Sequence, residues 1–148
     1  MFKHILVPTD GSEFSMNTVR RAVTFAREAG ARITAFNAKP AYAITEFGGE
    51  GALAYTKSID EYEQYAEEQA QKVLGDVERL CKEAGVECSK MTLTSNLVYE
   101  AIIEAAMTSG CDLIFMASHG RSGLGALLLG SETNKVLTHS KVPVLVYR

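Results

Sequence analysis

The sequence is poor in the residues that build cross-linked or metal-bound folds. It contains no tryptophan, three prolines and three cysteines among 148 residues. The cysteines, Cys81, Cys88 and Cys111, form no CxxC pair, so the spacing typical of zinc ribbons and redox motifs is absent. Because disulfide frameworks use paired cysteines, this odd and widely spaced set predicts reduced thiols and a cytoplasmic protein.

The sequence also lacks a large excess of one charge and any long apolar run. The formal net charge is -3, which does not favour nucleic acid or an anionic membrane surface as a partner. No apolar run approaches the ~20 residues that a membrane-spanning helix needs. The first residues run directly into a strand pattern, so no signal peptide is expected. With 47% hydrophobic and 22% charged residues, residues 1–148 are predicted to fold as one domain.

Short apolar runs alternate with stretches of helical periodicity along the chain. This alternation predicts the order βαβαβαβαβ, which is typical of a parallel sheet with helices on both faces. The expected class is therefore α/β, with a single doubly wound five-stranded parallel sheet of order 3-2-1-4-5. The predicted strands are 4–7, 32–38, 87–93, 112–118 and 142–147, and the predicted helices are 16–29, 59–84, 98–106 and a segment from Ser131. Residues 40–55 have no clean period and are predicted to form a mobile connection.

The most informative motif lies between the fourth strand and the fourth helix. It reads Ala117-Ser118-His119-Gly120, nine further residues, and then Gly130-Ser131. Glycine lets the backbone approach a ligand, and a helix start offers unpaired amides and the positive end of a dipole. The motif therefore predicts an anion site. The groups available to a phosphate are the amides near Gly120, Gly130, Ser131 and Glu132, the hydroxyls of Ser122, Ser131 and Thr133, and the guanidinium of Arg121.

A second polar segment, Pro8-Thr9-Asp10-Gly11-Ser12, follows the first strand. In a 3-2-1-4-5 sheet the strand order reverses between strands one and four, and open parallel sheets bind ligands at that point. The two polar segments are therefore expected to face each other. Asp10 repels phosphate, but it can accept hydrogen bonds from ribose hydroxyls or hold Mg²⁺ against phosphate oxygens. Together the two segments predict a nucleotide site.

Simpler interpretations of the same residues stay open. Asp10-Gly11-Ser12 also suits a turn followed by a helix cap, and His119 also suits a packed or solvent-facing loop position. Two common phosphate motifs do not fit the sequence. No Walker sequence follows the first strand, and Gly123-Leu124-Gly125 lacks the third glycine of a dinucleotide fingerprint.

The chain resembles the nucleotide-binding branch of the universal stress protein family over essentially its whole length. The resemblance rests on segments 5–12, 112–131 and 140–146 and on the family motif G-x-x-G, nine residues, G-[ST], in which Ala117 replaces a glycine. It implies ATP or AMP as the ligand, and a methyl group at Ala117 either crowds the phosphates or is harmless where φ is negative. It implies that Asp10 contacts the ribose or a metal such as Mg²⁺. The implied binding residues are Pro8, Thr9, Asp10 and Ala38 around adenine and ribose, Ala117, Ser118, His119, Gly120, Arg121, Ser122 and Gly123 around ribose and phosphates, and Gly130, Ser131, Glu132 and Thr133 along the phosphate chain.

The resemblance also implies a homodimer, for which the sequence offers a physical reason. The last strand, from Val142 to Tyr147, would leave an apolar sheet edge exposed. Pairing this strand with its own copy across a two-fold axis would cover that edge. Pro143 lacks an amide and is therefore expected at the start of the strand.

Three functions are consistent with a nucleotide site in such a protein. The first is a stress-response sensor or regulatory module. The second is a slow ATPase or adenylate-transferring enzyme, although only Asp10 and His119 lie near the expected phosphates and neither has an evident activating partner. The third is a dimeric interaction module in which the nucleotide stabilises the fold.

Overall fold

The computed structural model describes residues 1–41, 52–120 and 129–148, without the side chains of residues 52–57. Strands and helices alternate as predicted. The strands are β1 (His4–Pro8), β2 (Arg32–Lys39), β3 (Cys88–Thr94), β4 (Leu113–Ala117) and β5 (Val144–Tyr147), and the helices are α1 (Glu13–Ala29), α2 (Ala52–Ala84), α3 (Val98–Thr108) and α4 (Ser131–His139). The prediction of a connection over residues 40–55 is partly wrong, because residues 52–55 already belong to α2. The rest of that prediction falls mostly on residues 42–51, outside the described ranges.

The strands form one parallel sheet of order β3-β2-β1-β4-β5, which confirms the predicted fold class. Ile5 of β1 pairs with Ile33 of β2 on one side and with Leu113 of β4 on the other, so β1 is the central strand. The chain builds outward from β1 to β3 and then crosses back to β4 on the opposite side. This reversal brings the carboxyl ends of β1 and β4 side by side, where parallel sheets bind ligands.

Alternate residues of the central strands form two hydrophobic layers. Ile5 and Val7 pack with α1 and α2 on one face of the sheet, whereas Leu6 packs with α3 and α4 on the other. β4 divides in the same way, with Phe115 in the first layer and Met116 in the second. Strands buried on both faces need continuous apolar runs, and this is why β1 and β4 were recognisable in the sequence.

The helices cover both faces of the sheet and are ended by local signals. α1 begins after Ser12, whose side-chain oxygen accepts a hydrogen bond from the amide of Ser15 at 3.2 Å. It ends at Gly30, which adopts the left-handed conformation that closes many helices. Within the described ranges, no helix is both long and apolar enough to cross a membrane.

The last strand starts two residues later than predicted and lies at the edge of the sheet. β5 begins at Val144 because the hydroxyl of Ser140 holds the backbone of Val142 in a turn, with hydrogen bonds of 2.8 and 3.1 Å. Pro143 immediately precedes the strand, as its missing amide requires. β5 pairs with β4 on one side, and its residues up to Tyr147 are half-buried.

Candidate functional site

A cavity of about 520 Å³ lies at the carboxyl ends of the central strands. Its position is the one that the strand-order reversal predicts, and its volume is in the range of small-ligand sites. The described residues that line it are Pro8, Thr9, Asp10, Ser15, Phe36, Asn37, Ala38, Val98, Ile102, Met116, Ala117, His119, Gly120, Leu129, Gly130, Ser131, Glu132 and Thr133. Of the predicted binding residues within the described ranges, only Ser118 is missing from this lining. Arg121, Ser122 and Gly123 lie outside those ranges.

The β1–α1 loop is tied down by Thr9, which is almost fully buried. Its amide donates to the carbonyl of Phe36 in β2 at 2.9 Å, so the loop continues the sheet for one residue beyond β1. Its hydroxyl lies 2.7 Å from that of Ser15 and accepts the amide of Gly11 at 3.2 Å. Because its hydroxyl is engaged within the loop, the main contribution of Thr9 is to fix the backbone next to the cavity.

Asp10 projects from this loop toward the loop that follows β4. Its Oδ1 accepts the amide of Ser12 at 2.9 Å, which is the turn that one interpretation of the sequence expected. The helix cap itself is supplied by Ser12 and not by Asp10. A Cβ atom on Gly120 would lie 3.2 Å from the Oδ2 of Asp10, so the two polar loops meet at this point. The predicted encounter of the two segments is thus confirmed.

The backbone after β4 is folded tightly around Ser118. The amide of Ser118 donates to the carbonyl of Tyr147 at 3.0 Å, and its carbonyl accepts the amide of Gly130 at 2.8 Å. A Cβ atom on Gly130 would lie 3.1 Å from the same carbonyl oxygen, which is closer than most side chains tolerate. Glycine at position 130 therefore allows this approach of the chain without a shift of the Ser118 carbonyl. The side chain of Ser118 is buried away from the cavity and lies 2.8 Å from the Nδ1 of His119.

His119 lies at the cavity with one ring nitrogen engaged and the other not. Its Nδ1 pairs with the hydroxyl of Ser118, and its ring meets Phe14 of α1 edge-on at a centroid distance of 6.0 Å. Its Nε2 is buried and has no hydrogen-bond partner among the described residues. The ring of His119 is therefore packed, as one interpretation of the sequence expected, and it also lines the cavity.

The start of α4 forms the opposite wall of the cavity. Gly130 is the residue before the helix, and Ser131 is its first residue. The hydroxyl of Thr133 donates to the carbonyl of Ala117 at 2.9 Å, which fixes the helix start against the end of β4. The first amides of a helix have no acceptor within the helix, and they carry the positive end of its dipole. This wall therefore suits an anionic group of a ligand.

Glu132 has a role in the structure that the sequence did not reveal. Its Oε2 accepts the backbone amide of Tyr99 at 2.9 Å, so it caps the start of the neighbouring helix α3. α3 needs this contact because Leu97, the residue before it, provides no side-chain cap. The Oε1 of Glu132 also lies 3.8 Å from the Nζ of Lys135. Such a contact depends on the packing of α3 against α4, which no sequence spacing indicates.

Several cavity residues were missed by sequence reasoning. Asn37 of β2 lines the cavity and donates from its Nδ2 to the carbonyl of Thr9 at 2.9 Å. The sequence did contain a signal for Asn37, because a polar residue at the carboxyl end of a strand beside β1 lies at the same edge of the sheet as the cavity. Val98 and Ile102 showed only helical periodicity, which does not distinguish a cavity wall from a core.

The metal prediction rests on Asp10 alone. In the part of the chain that the structure describes, no three His, Cys, Asp or Glu side chains are grouped in a way that suits a metal ion. Mg²⁺ needs six oxygen ligands, so an ion at Asp10 would take most of them from phosphates and water. Mg²⁺ therefore stays a prediction that depends on the bound nucleotide.

Comparison with known proteins identifies the family of the whole chain. The model described as Universal stress protein family matches residues 1–148. The chain belongs to the universal stress protein family. Among its relatives in the family is the universal stress protein YxiE of Bacillus subtilis, which is 30% identical over 149 residues with both chains fully covered.

Solved structures agree with this assignment. The structure of MJ0577, from Methanocaldococcus jannaschii, superposes with a TM-score of 0.81 at 25% identity and covers 99% of this chain and 95% of that one. A universal stress protein crystallised in complex with cAMP superposes with a TM-score of 0.71 at 23% identity, covering 99% and 97%. The likeness to the second structure establishes the shared fold.

The cavity of this universal stress protein combines two kinds of surface. Phe36, Ile102 and Met116 contribute apolar side chains, whereas the start of α4 contributes hydrogen-bond donors and Asp10 a carboxylate. A ligand that fits both kinds of surface has a flat apolar part, an anionic part and hydroxyl groups. These are the parts of a nucleotide.

Proposed function

We propose that this protein binds an adenine nucleotide, ATP or AMP, in the cytoplasm and acts as a stress-response sensor or regulatory module. The supporting observation is that two loops distant in sequence converge on one cavity, with the Oδ2 of Asp10 3.2 Å from the Cβ position of Gly120. The cAMP complex of a protein with the same fold supports the class of ligand. The matched family motif, which ends at Gly130-Ser131, supports the position of the phosphates.

The proposed orientation of the nucleotide follows from the chemistry of the cavity walls. The base contacts Ala38 and the apolar side chains of β2 and α3, where its ring surface is removed from water. The ribose hydroxyls donate to the carboxylate of Asp10, which accepts but cannot donate. The phosphates face the first amides of α4, near Ser131 and Thr133, where the helix dipole is favourable.

The direct test is a titration of the purified protein with ATP, ADP and AMP by isothermal calorimetry. In parallel, mass spectrometry of the native protein would identify any nucleotide that co-purifies. The absence of binding to all three nucleotides at millimolar concentration would refute the proposal. Measurement of ATP hydrolysis in the same preparation separates sensing from catalysis, since turnover above about 1 s⁻¹ is the range of ordinary enzymes.

A glycine variant tests the assigned loop. Gly120→Val is expected to weaken nucleotide binding by more than about tenfold, because its first side-chain atom already approaches Asp10 at 3.2 Å and the rest extends into the space of the ligand. Gly75→Ala is the matched control, since a Cβ there meets nothing within 4 Å and Gly75 is not a cavity residue. If a folded Gly120→Val protein binds as wild type does, the ligand lies elsewhere.

We also propose that the protein is a homodimer through the free edge of β5. The carbonyls of Pro143 and Tyr147 accept hydrogen bonds from β4, so these residues direct their backbone groups inward. Backbone groups alternate in direction along a strand, and those of Val144 and Val146 therefore point to the open edge. An unpaired edge of apolar residues is a surface that proteins normally cover.

The dimer can be tested without disturbing the sheet itself. Val146→Pro removes one outward amide and leaves the hydrogen bonds between β4 and β5 in place, so a folded monomer is expected. Sedimentation velocity gives the mass, and circular dichroism checks the fold. A wild-type protein that sediments as a monomer at all concentrations, or a Val146→Pro protein that stays dimeric, would contradict the proposed interface.

A further inference from the structure

The described lining of the cavity carries an unusual charge for a phosphate site. Its described lining includes two carboxylates, Asp10 and Glu132, and neither lysine nor arginine. Lys39 follows the lining residue Ala38 in β2, but its Nζ is paired with the Oε2 of Glu67 at 2.5 Å. Among the described residues, the phosphates of a nucleotide would thus meet helix amides and a dipole on a background of negative charge.

Of the two carboxylates, Glu132 is the one at the helix start to which the proposed function assigns the phosphates. It is the second residue of α4, in the same turn as Ser131 and Thr133. Asp10 lies across the cavity, where the proposed function assigns it to the ribose. Among the described lining residues, Glu132 is therefore the one expected to discriminate between one phosphate and three.

The carboxylate of Glu132 cannot move away from an approaching anion without losing a hydrogen bond to α3. The amide of Tyr99 donates to its Oε2 at 2.9 Å, and this contact is the only side-chain cap described for the start of α3. Swinging the side chain outward would leave that amide unpaired. Lys135 offsets the charge only weakly, because it lies 3.8 Å away and both side chains are nearly half-exposed.

A fixed charge of this kind acts differently on different nucleotides. AMP brings one phosphate group, whereas ATP brings about two further charges and must place them along the start of α4. Two extra charges about 8 Å from a carboxylate, in surroundings near the dielectric constant of water, lose on the order of five- to tenfold in affinity. A divalent cation bound to the phosphates would cancel most of this loss.

We propose that Glu132 makes the cavity selective for adenine nucleotides with a single phosphate, such as AMP or a cyclic monophosphate, over ATP that is free of divalent metal. This inference rests on the proposed function, since it concerns the same cavity. It deepens that function by assigning the selectivity to one side chain. The sensor would then respond to the monophosphate, or to metal-bound ATP, and not to metal-free ATP.

The test compares AMP, cyclic AMP and ATP by calorimetry, with EDTA and with Mg²⁺, in wild type and in Glu132→Gln. Glutamine keeps an oxygen that can accept from Tyr99 and removes the charge. In wild type we expect AMP to bind on the order of tenfold more tightly than ATP in EDTA, and Mg²⁺ to close most of the gap. In Glu132→Gln we expect ATP in EDTA to gain on the order of five- to tenfold while AMP changes little.

The matched control is Glu100→Gln, which removes a carboxylate from α3 at a position that does not line the cavity. It is expected to leave the ratio of AMP to ATP affinity unchanged. The wild-type ratio is also expected to shrink as salt rises from 50 to about 500 mM, because exposed charges are screened. Thermal melts of both variants confirm that they are folded.

The possible outcomes separate the two proposals. If wild type binds no nucleotide, the proposed function fails. If wild type binds nucleotides but prefers ATP in EDTA, or if Glu132→Gln leaves the ratio unchanged, the function stands and the role of Glu132 is refuted. A gain in ATP affinity that appears equally in Glu100→Gln would show a general charge effect and would also overturn the assignment to Glu132.

Discussion

Gly11 offers the sharpest test of how the β1–α1 loop is built. Its φ is +79°, in the left-handed region that non-glycine residues seldom adopt. A Cβ atom built on it would lie 2.6 Å from the Cγ2 of Val73 in α2, which is a severe overlap. We therefore expect Gly11→Ala to destabilise the protein for two separate reasons, a backbone penalty and a collision with one named side chain.

The two contributions can be estimated. A left-handed alanine costs about 1–2 kcal/mol. Overpacking against Val73, whose χ1 is stiff in a helix, costs about 1–3 kcal/mol more. The sum is about 2–5 kcal/mol, and for a chain of this size each kcal/mol lowers the melting temperature by roughly 2–4 °C.

A double-mutant cycle separates the contributions by urea unfolding. Val73→Ala removes the atoms that collide, so Gly11→Ala in that background should cost only the backbone term of about 1–2 kcal/mol. Gly75→Ala, two residues away in the same helix, is the control and is expected to stabilise by about 0.5–1 kcal/mol. Equal costs of Gly11→Ala in both backgrounds, or a total cost below about 1 kcal/mol, would refute the reasoning.

Three further predictions concern titratable groups away from the cavity. Asp112→Ala should lower the free energy of unfolding by about 1–3 kcal/mol in urea titrations, because the carboxylate accepts the amides of Lys3 at 2.8 Å and His4 at 3.1 Å. Burial lowers the pKa of His4 below its ordinary 6.5. The stability that neutral His4 contributes is therefore complete above pH 6.5 and is lost as the pH falls below that value. His4→Gln should flatten this pH dependence of the free energy of unfolding. Labelling with iodoacetamide, followed by peptide mass spectrometry, should show Cys88 modified before Cys111. A hydrogen bond with the neighbouring Cys81 thiol lowers the pKa of Cys88, whereas burial raises the pKa of Cys111 to about 11. Earlier labelling of Cys111 would contradict this order.

The sheet and the position of the cavity could be predicted from the sequence because they depend on patterns within segments. Ile5-Leu6-Val7 is apolar at every position since both faces of β1 are buried, and this burial is visible without knowing the partners. With the expected order 3-2-1-4-5, the polar segments after strands one and four then predicted the meeting of Asp10 and Gly120. The predicted ends of elements were less accurate where a side-chain hydrogen bond sets the end, as the hydroxyl of Ser140 does just before β5.

Contacts between distant elements could not be predicted. Glu132 caps α3 only because α4 packs beside it, and Cys81 lowers the pKa of Cys88 only because the turn between α2 and β3 brings the two thiols together. Helical periodicity also fails near the exposed side of a long helix. Tyr65 of α2 is 61% exposed, and an aromatic residue in an amphipathic pattern does not reveal how wide the buried stripe of the helix is.

The two ends of the sheet are built for different tasks. At the amino ends, the carboxylate of Asp112 accepts two amides at the start of β1, and the Nε2 of His4 lies 2.7 Å from the hydroxyl of Thr34 in β2, so these groups are paired within the protein. At the carboxyl ends, the loops of Asp10 and Gly120 surround open space instead. A ligand site needs groups whose hydrogen-bonding capacity is left for the ligand, and such groups contribute less to stability before it binds. Substitutions at the amino ends should therefore change the free energy of unfolding with little effect on ligand affinity.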